Sequence, residues 1–237
     1  TQLGNQLFGA RPTGAIIYRD TVNNPIPVVG TTTGVWAYQS STWTNRADIV
    51  LAGTSAKMAR FTPIVIAGIN YLVMVNGVNT PRQWNGTDPS FIPILGSPPI
   101  WSDVITTFDR IVGVIPPYQI RWGEALRLDL WNALNFRTLA DTPDPIVTIS
   151  ALGTVGMVVY KRETIWNGYQ VGGPSSGAFK FELRGYFEGP ASPAAVVQAN
   201  GVDYYMTPTG RVGAYDGNSH RWISDQVWPL MRDSIDT

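Results

Sequence analysis

Five aromatic anchors recur along the chain at Tyr38, Trp84, Trp131, Trp166 and Tyr215. They stand roughly 44 residues apart, the spacing of propeller blades. The clearest pair of copies is Gly68-Ile69-Asn70-Tyr71 followed by Trp84-Asn85-Gly86, and Gly201-Val202-Asp203-Tyr204 followed by Tyr215-Asp216-Gly217. Each has Gly, a β-branched residue, Asn or Asp, then Tyr, and ends on an aromatic-Asn/Asp-Gly element. Trp166-Asn167-Gly168 reads as a third such turn, preceded by the apolar run Met157-Val158-Val159-Tyr160, with weaker versions at Trp131-Asn132-Ala133 and around Tyr38.

The last copy displays its internal order as four short strands, Ala194 to Gln198, Val202 to Met206, Arg211 to Tyr215 and His220 to Ile223. The turns between them fall at Asn200-Gly201, Thr209-Gly210 and Asp216-Gly217. Asn-Gly and Asp-Gly suit type I′ hairpin turns, because both central residues need positive φ. A four-stranded meander cannot bury both of its faces alone. Stacking copies about an axis covers both and leaves only short edges. The expected fold is therefore all-β: a single β-propeller domain over residues 1–237 with about five to six four-stranded antiparallel blades. Only about five blades can be counted, so part of a closing blade is missing or a terminal strand closes the ring. A β-sandwich, with the same turn spacing, is the alternative. Glu124 to Leu134 has helix-compatible spacing but no clear cap, and admits a short helical turn. Pro98-Pro99, Pro116-Pro117 and the segment Gly172 to Gly177 mark loops.

Composition narrows function mainly by exclusion. With 24 Gly, 18 Pro and 11% aromatic residues the chain is turn-rich, and no run of about 18 apolar residues is present that could span a membrane as a helix. Lys+Arg 17 balance Asp+Glu 17 without a block of like charge, so there is no electrostatic footprint of a groove-binding nucleic-acid protein. The bases are mostly Arg, with Lys only at 57, 161 and 180, which favours planar surface contacts. Cysteine is absent, excluding disulfides, thiolate nucleophiles and cysteine metal sites. Thr1 to Ala10 carry neither a basic nor an apolar region of a secretory signal.

The only imidazole is His220, read as an exposed turn or strand residue, and one His cannot form His-rich metal spacing. Carboxylate pairs are the remaining enzymatic option, with Asp103, Asp109, Asp141, Asp144 and Glu163 as candidates and nothing to single out a pair. No catalytic, cofactor or metal residue is assigned, and no cofactor is expected. Asn85-Gly86-Thr87 matches a glycosylation sequon, yet a turn accounts for the same residues. Trp36, Trp43, Trp84, Trp101, Trp122, Trp131 and Trp166 could form a stacking platform for sugars or bases. Their repeat spacing makes blade core the expected role.

The segment Gly153 to Gly173, with Met157-Val158-Val159-Tyr160-Lys161 and Glu163-Thr164-Ile165, resembles a stretch of the hub and nozzle proteins of short-tailed bacteriophage tails. Gly189-Pro190-Ala191-Ser192-Pro193 and the meander from Ala194 to Ile223 look like the next blade of those proteins. Gly30 to Trp36, Asn76 to Trp84 and Asp109 to Gly113 fit earlier blades. The likeness runs from about Gly30 to Val227 through short motifs. It implies a structural virion protein, assembled in the host cytoplasm into the tail. The subunits would form a homo-hexameric ring below portal and adaptor and above distal tail proteins, passing phage DNA without sequence-specific binding. A carbohydrate-binding or carbohydrate-active propeller is the alternative; a third reading is a WD- or kelch-like interaction propeller, whose signatures are absent.

Overall fold

Twenty strands form five four-stranded antiparallel sheets in the computed structural model, which describes residues 8–54, 57–153, 155–172 and 178–225. Sheet 1 is β1 (Pro12–Arg19), β2 (Pro25–Thr31), β3 (Val35–Gln39) and β4 (Thr42–Asn45). Sheet 2 is β5 (Arg60–Ile66), β6 (Ile69–Val75), β7 (Arg82–Trp84) and β8 (Ile92–Pro93). Sheet 3 is β9 (Asp103–Thr107), β10 (Arg110–Ile115), β11 (Gln119–Trp122) and β12 (Phe136–Thr138). Sheet 4 is β13 (Ile146–Ser150), β14 (Met157–Lys161), β15 (Thr164–Val171) and β16 (Ala178–Tyr186). Sheet 5 is β17 (Val196–Ala199), β18 (Val202–Met206), β19 (Val212–Tyr215) and β20 (His220–Trp222), entered through one 3₁₀ turn at Pro193–Ala195. Every sheet is a meander of consecutive strands, so the fold class is a β-propeller of five four-stranded blades.

The chain divides into two compact units, residues 1–115 with 120–136, and residues 116–119 with 137–237. In the first unit, β6 shows why the central strands are continuously apolar. Leu72 and Met74 point into a cluster with Tyr18, Val28 and Val35 of sheet 1, whereas Val73 and Val75 join Val104 and Ile111 of sheet 3. Successive side chains of a strand leave on opposite faces, and here both faces meet another sheet. In the second unit Val158, Tyr160 and Ile165 of sheet 4 pack on Tyr205 and Tyr215 of sheet 5. A sandwich would gather its core between two sheets. These clusters instead lie between consecutive meanders, which decides against that alternative. Within sheet 3 burial falls from five buried residues in β10 to none in the fourth strand β12.

The turns divide into two chemical kinds. Ala67-Gly68, Phe108-Asp109 and Asn200-Gly201 link first to second strands with both residues at positive φ (50° and 80°, 49° and 57°, 51° and 74°). That is the type I′ signature, whose twist matches the strands it joins. Ser40-Ser41 does the same between β3 and β4. The aromatic-Asn/Asp-Gly elements differ from the sequence expectation. At Trp84-Asn85-Gly86 and Tyr215-Asp216-Gly217 only the glycine has positive φ, at 87° and 95°. The Asn85 Oδ1 accepts from the N–H groups of Thr87 and Asp88 at 3.0 and 2.8 Å, and the Asp216 Oδ1 from those of Asn218 and Ser219, both at 2.8 Å. These are Asx turns, and the sequon at Asn85 belongs to one of them.

Two anchors need correction. Trp166-Asn167-Gly168 is strand interior within β15, where Tyr215 donates to the Asn167 Oδ1 at 2.9 Å. Trp131 lies in the loop between β11 and β12, and the third strand of sheet 3 carries Trp122 instead. Tyr38, Trp84, Trp166 and Tyr215 do fall on third strands, although Tyr38 is 40% exposed. Glu124 to Leu134 forms turns without an α-helix: Leu126 sits at φ 54°, and Arg110 holds the Gly123 carbonyl at 2.9 Å. Pro98-Pro99 connects sheets 2 and 3, and Pro116-Pro117 connects β10 to β11. Most of the Gly172 to Gly177 loop, and the end of the resemblance at Val227, lie outside the described residues.

Candidate functional site

Several ionisable side chains of the sheets are spent on internal latches. The Lys161 ammonium, fully buried at the end of β14, donates to the carbonyls of Leu139 and Thr142 at 2.9 and 2.8 Å and to the Thr142 hydroxyl at 2.5 Å. Its ionic partner is the Asp144 Oδ1 at 3.3 Å. The other oxygen of Asp144 accepts from the Glu163 N–H and the Thr164 hydroxyl, each at 2.9 Å. Burial opposes ionisation of Asp144, but the donors from Glu163, Thr142 and Thr164 together with Lys161 outweigh it and hold the carboxyl below its usual range. The segment Gly153 to Gly173 supplies Lys161, the Glu163 N–H and the Thr164 hydroxyl to this cluster, whereas Asp144 and Thr142 precede it.

The sequence-proposed acids are not brought together as a hydrolytic pair. Asp103 is fully buried and ion-paired to Arg60 at 2.9 Å. Asp109 stands at the other end of the same hairpin, exposed on its turn. Asp141 is exposed and pairs with Arg137 at 3.5 Å. Asp144 and Glu163 are neighbours, but through the Glu163 backbone, and Asp144 is held ionised, the wrong state for a general acid. Among the described residues no group of three or more His, Asp or Glu could hold a metal ion.

His220 is not the exposed residue that its turn-rich surroundings suggest. It lies on β20, 2.8 Å from the Tyr205 hydroxyl, stacked on Phe187 at 4.1 Å and edge-on to Trp222 at 4.6 Å. Burial, then the Arg211 charge, lowers its pKa. Arg211 itself covers the Trp222 ring at 4.0 Å. The imidazole is a member of an aromatic cluster that closes sheet 5.

One cleft of about 480 Å³ opens in the first unit, on the first strands of its three sheets. Ile17 and Arg19 share one face of β1, and Pro63 and Val65 share one face of β5. Thr106 of β9 and Asp109 of the following turn complete the rim. The scaffold beneath is tightly bonded. Tyr18 donates to the Asn70 carbonyl and the Asn70 amide to the Arg19 carbonyl, both at 2.6 Å, while Thr106 donates to the Pro63 carbonyl at 2.7 Å. In the second unit Arg162, Glu163 and Glu188 edge a groove of about 470 Å³ with Pro190 and Pro208.

No protein-family model matches the chain, and no curated protein sequence matches it. Three solved structures are similar in chain course. One is the extracellular domain of a putative hybrid two-component system from B. thetaiotaomicron, at 11% identity and a TM-score of 0.49, over 90% of this chain and 33% of that one. The computationally designed Ika8 protein matches at 12% identity and 0.48, over 90% and 73%. PorZ, a surface component of the type-IX secretion system of Porphyromonas gingivalis, matches at 11% identity and 0.45, over 91% and 28%. The chain spans about a third of the first of these.

The sequence reading missed Asp203. This carboxylate is fully buried on β18, accepting from the hydroxyls of Tyr160 and Ser150 at 2.9 Å each and from the Gln198 amide at 3.3 Å. Desolvation raises its pKa against the pull of those three donors. Its place in the Gly-Val-Asp-Tyr motif set it on the strand Val202 to Met206, and nothing in the local pattern announced partners from sheet 4. Of the tryptophans expected in the core, Trp84, Trp101, Trp122 and Trp166 are buried, whereas Trp36, Trp43 and Trp131 are half-buried.

Proposed function

We propose that this chain is a non-enzymatic structural protein whose copies assemble laterally, as the hub or nozzle ring of a short-tailed phage tail. The observation that carries the reading is the loop between β11 and β12 in the first unit. It exposes Leu126, Leu130 and Leu134 by 49, 47 and 81%, and Phe136 beside it by 43%. Large exposed apolar side chains gathered on one loop favour a protein–protein interface. Its anchorage is rigid: Arg110 bonds Glu124 at 3.1 Å, Trp131 donates to the Leu95 carbonyl at 3.0 Å, and Arg127 grips Asp129 through two bonds of 2.6 and 2.8 Å. A fixed apolar loop costs little ordering entropy on association.

Balanced charge suits a conduit that must not retain passing DNA. Native mass spectrometry and electron microscopy of the purified protein, alone and with portal and adaptor rings, test the assignment. A closed ring, six-fold by the resemblance, is expected. A protein that stays monomeric under both conditions overturns it, and saturable glycan binding by that monomer would establish the carbohydrate reading instead.

A further inference from the structure

We propose that the cleft on β1, β5 and β9 binds an extended peptide segment carrying an aliphatic side chain between an acidic and a basic residue. The inference is independent of the ring assignment. The floor is apolar and open, with Ile17 60% and Val65 55% exposed on adjacent first strands. The polar groups inside, the Tyr18 hydroxyl, the Asn70 amide and the Thr106 hydroxyl, are already donating to backbone carbonyls. What remains for a ligand is at the rim. The Arg19 guanidinium has one long bond of 3.3 Å to the Asn23 carbonyl, and the Asp109 carboxylate has no ionic or hydrogen-bonded partner among the described residues.

This distribution selects the ligand class. A sugar needs several free hydrogen-bonding groups and an aromatic face, yet the ring of Tyr18 is only 1% exposed. A phosphate or nucleotide would meet the Asp109 carboxylate as well as Arg19. A peptide offers an aliphatic side chain for the floor and opposite charges for the two rim groups, and a volume of about 480 Å³ admits about three residues. The Phe108-Asp109 turn, with both residues at positive φ, fixes the Asp109 position before binding.

The test is methyl NMR of the whole chain titrated with the capped tripeptide acetyl-Glu-Leu-Lys-amide. Saturable shifts confined to the Ile17, Ile64 and Val65 methyls are expected. In Asp109→Asn, binding of this probe weakens about threefold, as for a partly exposed ion pair, while acetyl-Glu-Leu-Gln-amide binds as it does to the parent. Asn accepts a left-handed φ, so the variant keeps the turn. Arg19→Gln weakens both probes. Absence of saturable shifts at millimolar peptide, shifts centred elsewhere, or equal response of both probes to Asp109→Asn overturns the proposal.

Discussion

The Tyr160 hydroxyl of β14 donates to the Asp203 carboxylate of β18 across 2.9 Å, joining sheet 4 to sheet 5 through a buried acid that has no cationic partner among the described residues. The carboxyl's raised pKa makes this link sensitive to pH in a defined direction. A group whose folded pKa exceeds its unfolded value contributes stability below the unfolded pKa and loses it as pH rises through the folded one. Removing the charge removes that loss. Melting curves between about pH 4 and pH 7 are therefore expected to show Asp203→Asn gaining relative to the parent as pH rises. A difference independent of pH would contradict the raised pKa.

Asp144 has the opposite sign. Its carboxyl is depressed, so its contribution is present above the unfolded pKa and disappears as pH falls through the folded one. Lys161→Met leaves Asp144 buried without its counter-charge and strips a donor from two carbonyls, at a cost of about 3–5 kcal/mol. Adding Asp144→Asn to that variant is expected to recover part of the loss. Denaturant unfolding of the two single variants and the double variant gives the coupling.

Trp84 and Trp131 look alike in sequence, each followed by Asn, and differ in place. Trp84 is 1% exposed on β7, stacked on Phe91 at 5.4 Å and 5.7 Å from Tyr18. Trp131 lies half-buried in a loop, edge-on to Trp101 at 5.0 Å. Trp84→Ala is expected to cost about 3–5 kcal/mol and Trp131→Ala about 1–2 kcal/mol, measured by chemical unfolding. Equal costs would restore Trp131 as a blade anchor.

That contrast marks what was legible. Meander, strand order and blade class follow from turn chemistry and apolar runs, which are local. The anchors misled where one dipeptide serves two structures: Asn after an aromatic makes an Asx turn at Asn85 and a buried cross-sheet acceptor at Asn167. The type I′ turn at Phe108-Asp109 has no glycine to announce it. Tyr160 and Ser150 reach Asp203, and Phe187 reaches His220, from far off in sequence, and the cleft needs three strands side by side, so neither was readable from spacing.

Two glycines separate crowding from backbone strain. Gly113, in β10, lies against Trp101, and a methyl group there would overlap the indole, which is itself fully buried. Gly113→Ala is expected to cost about 1–3 kcal/mol by overpacking, and less in a Trp101→Leu background, where the smaller side chain makes room. Gly68 has open space about it and φ 80°. Gly68→Ala therefore costs about 1–2 kcal/mol through the left-handed backbone alone. Gly68→Asn costs less, since Asn tolerates the left-handed region and Asp109 holds the corresponding second turn position in sheet 3 at φ 57°. Thermal denaturation of these variants, with Trp101→Leu alone as the reference for the double, decides: if Trp101→Leu does not relieve Gly113→Ala, the close packing of indole on β10 is not what requires glycine there.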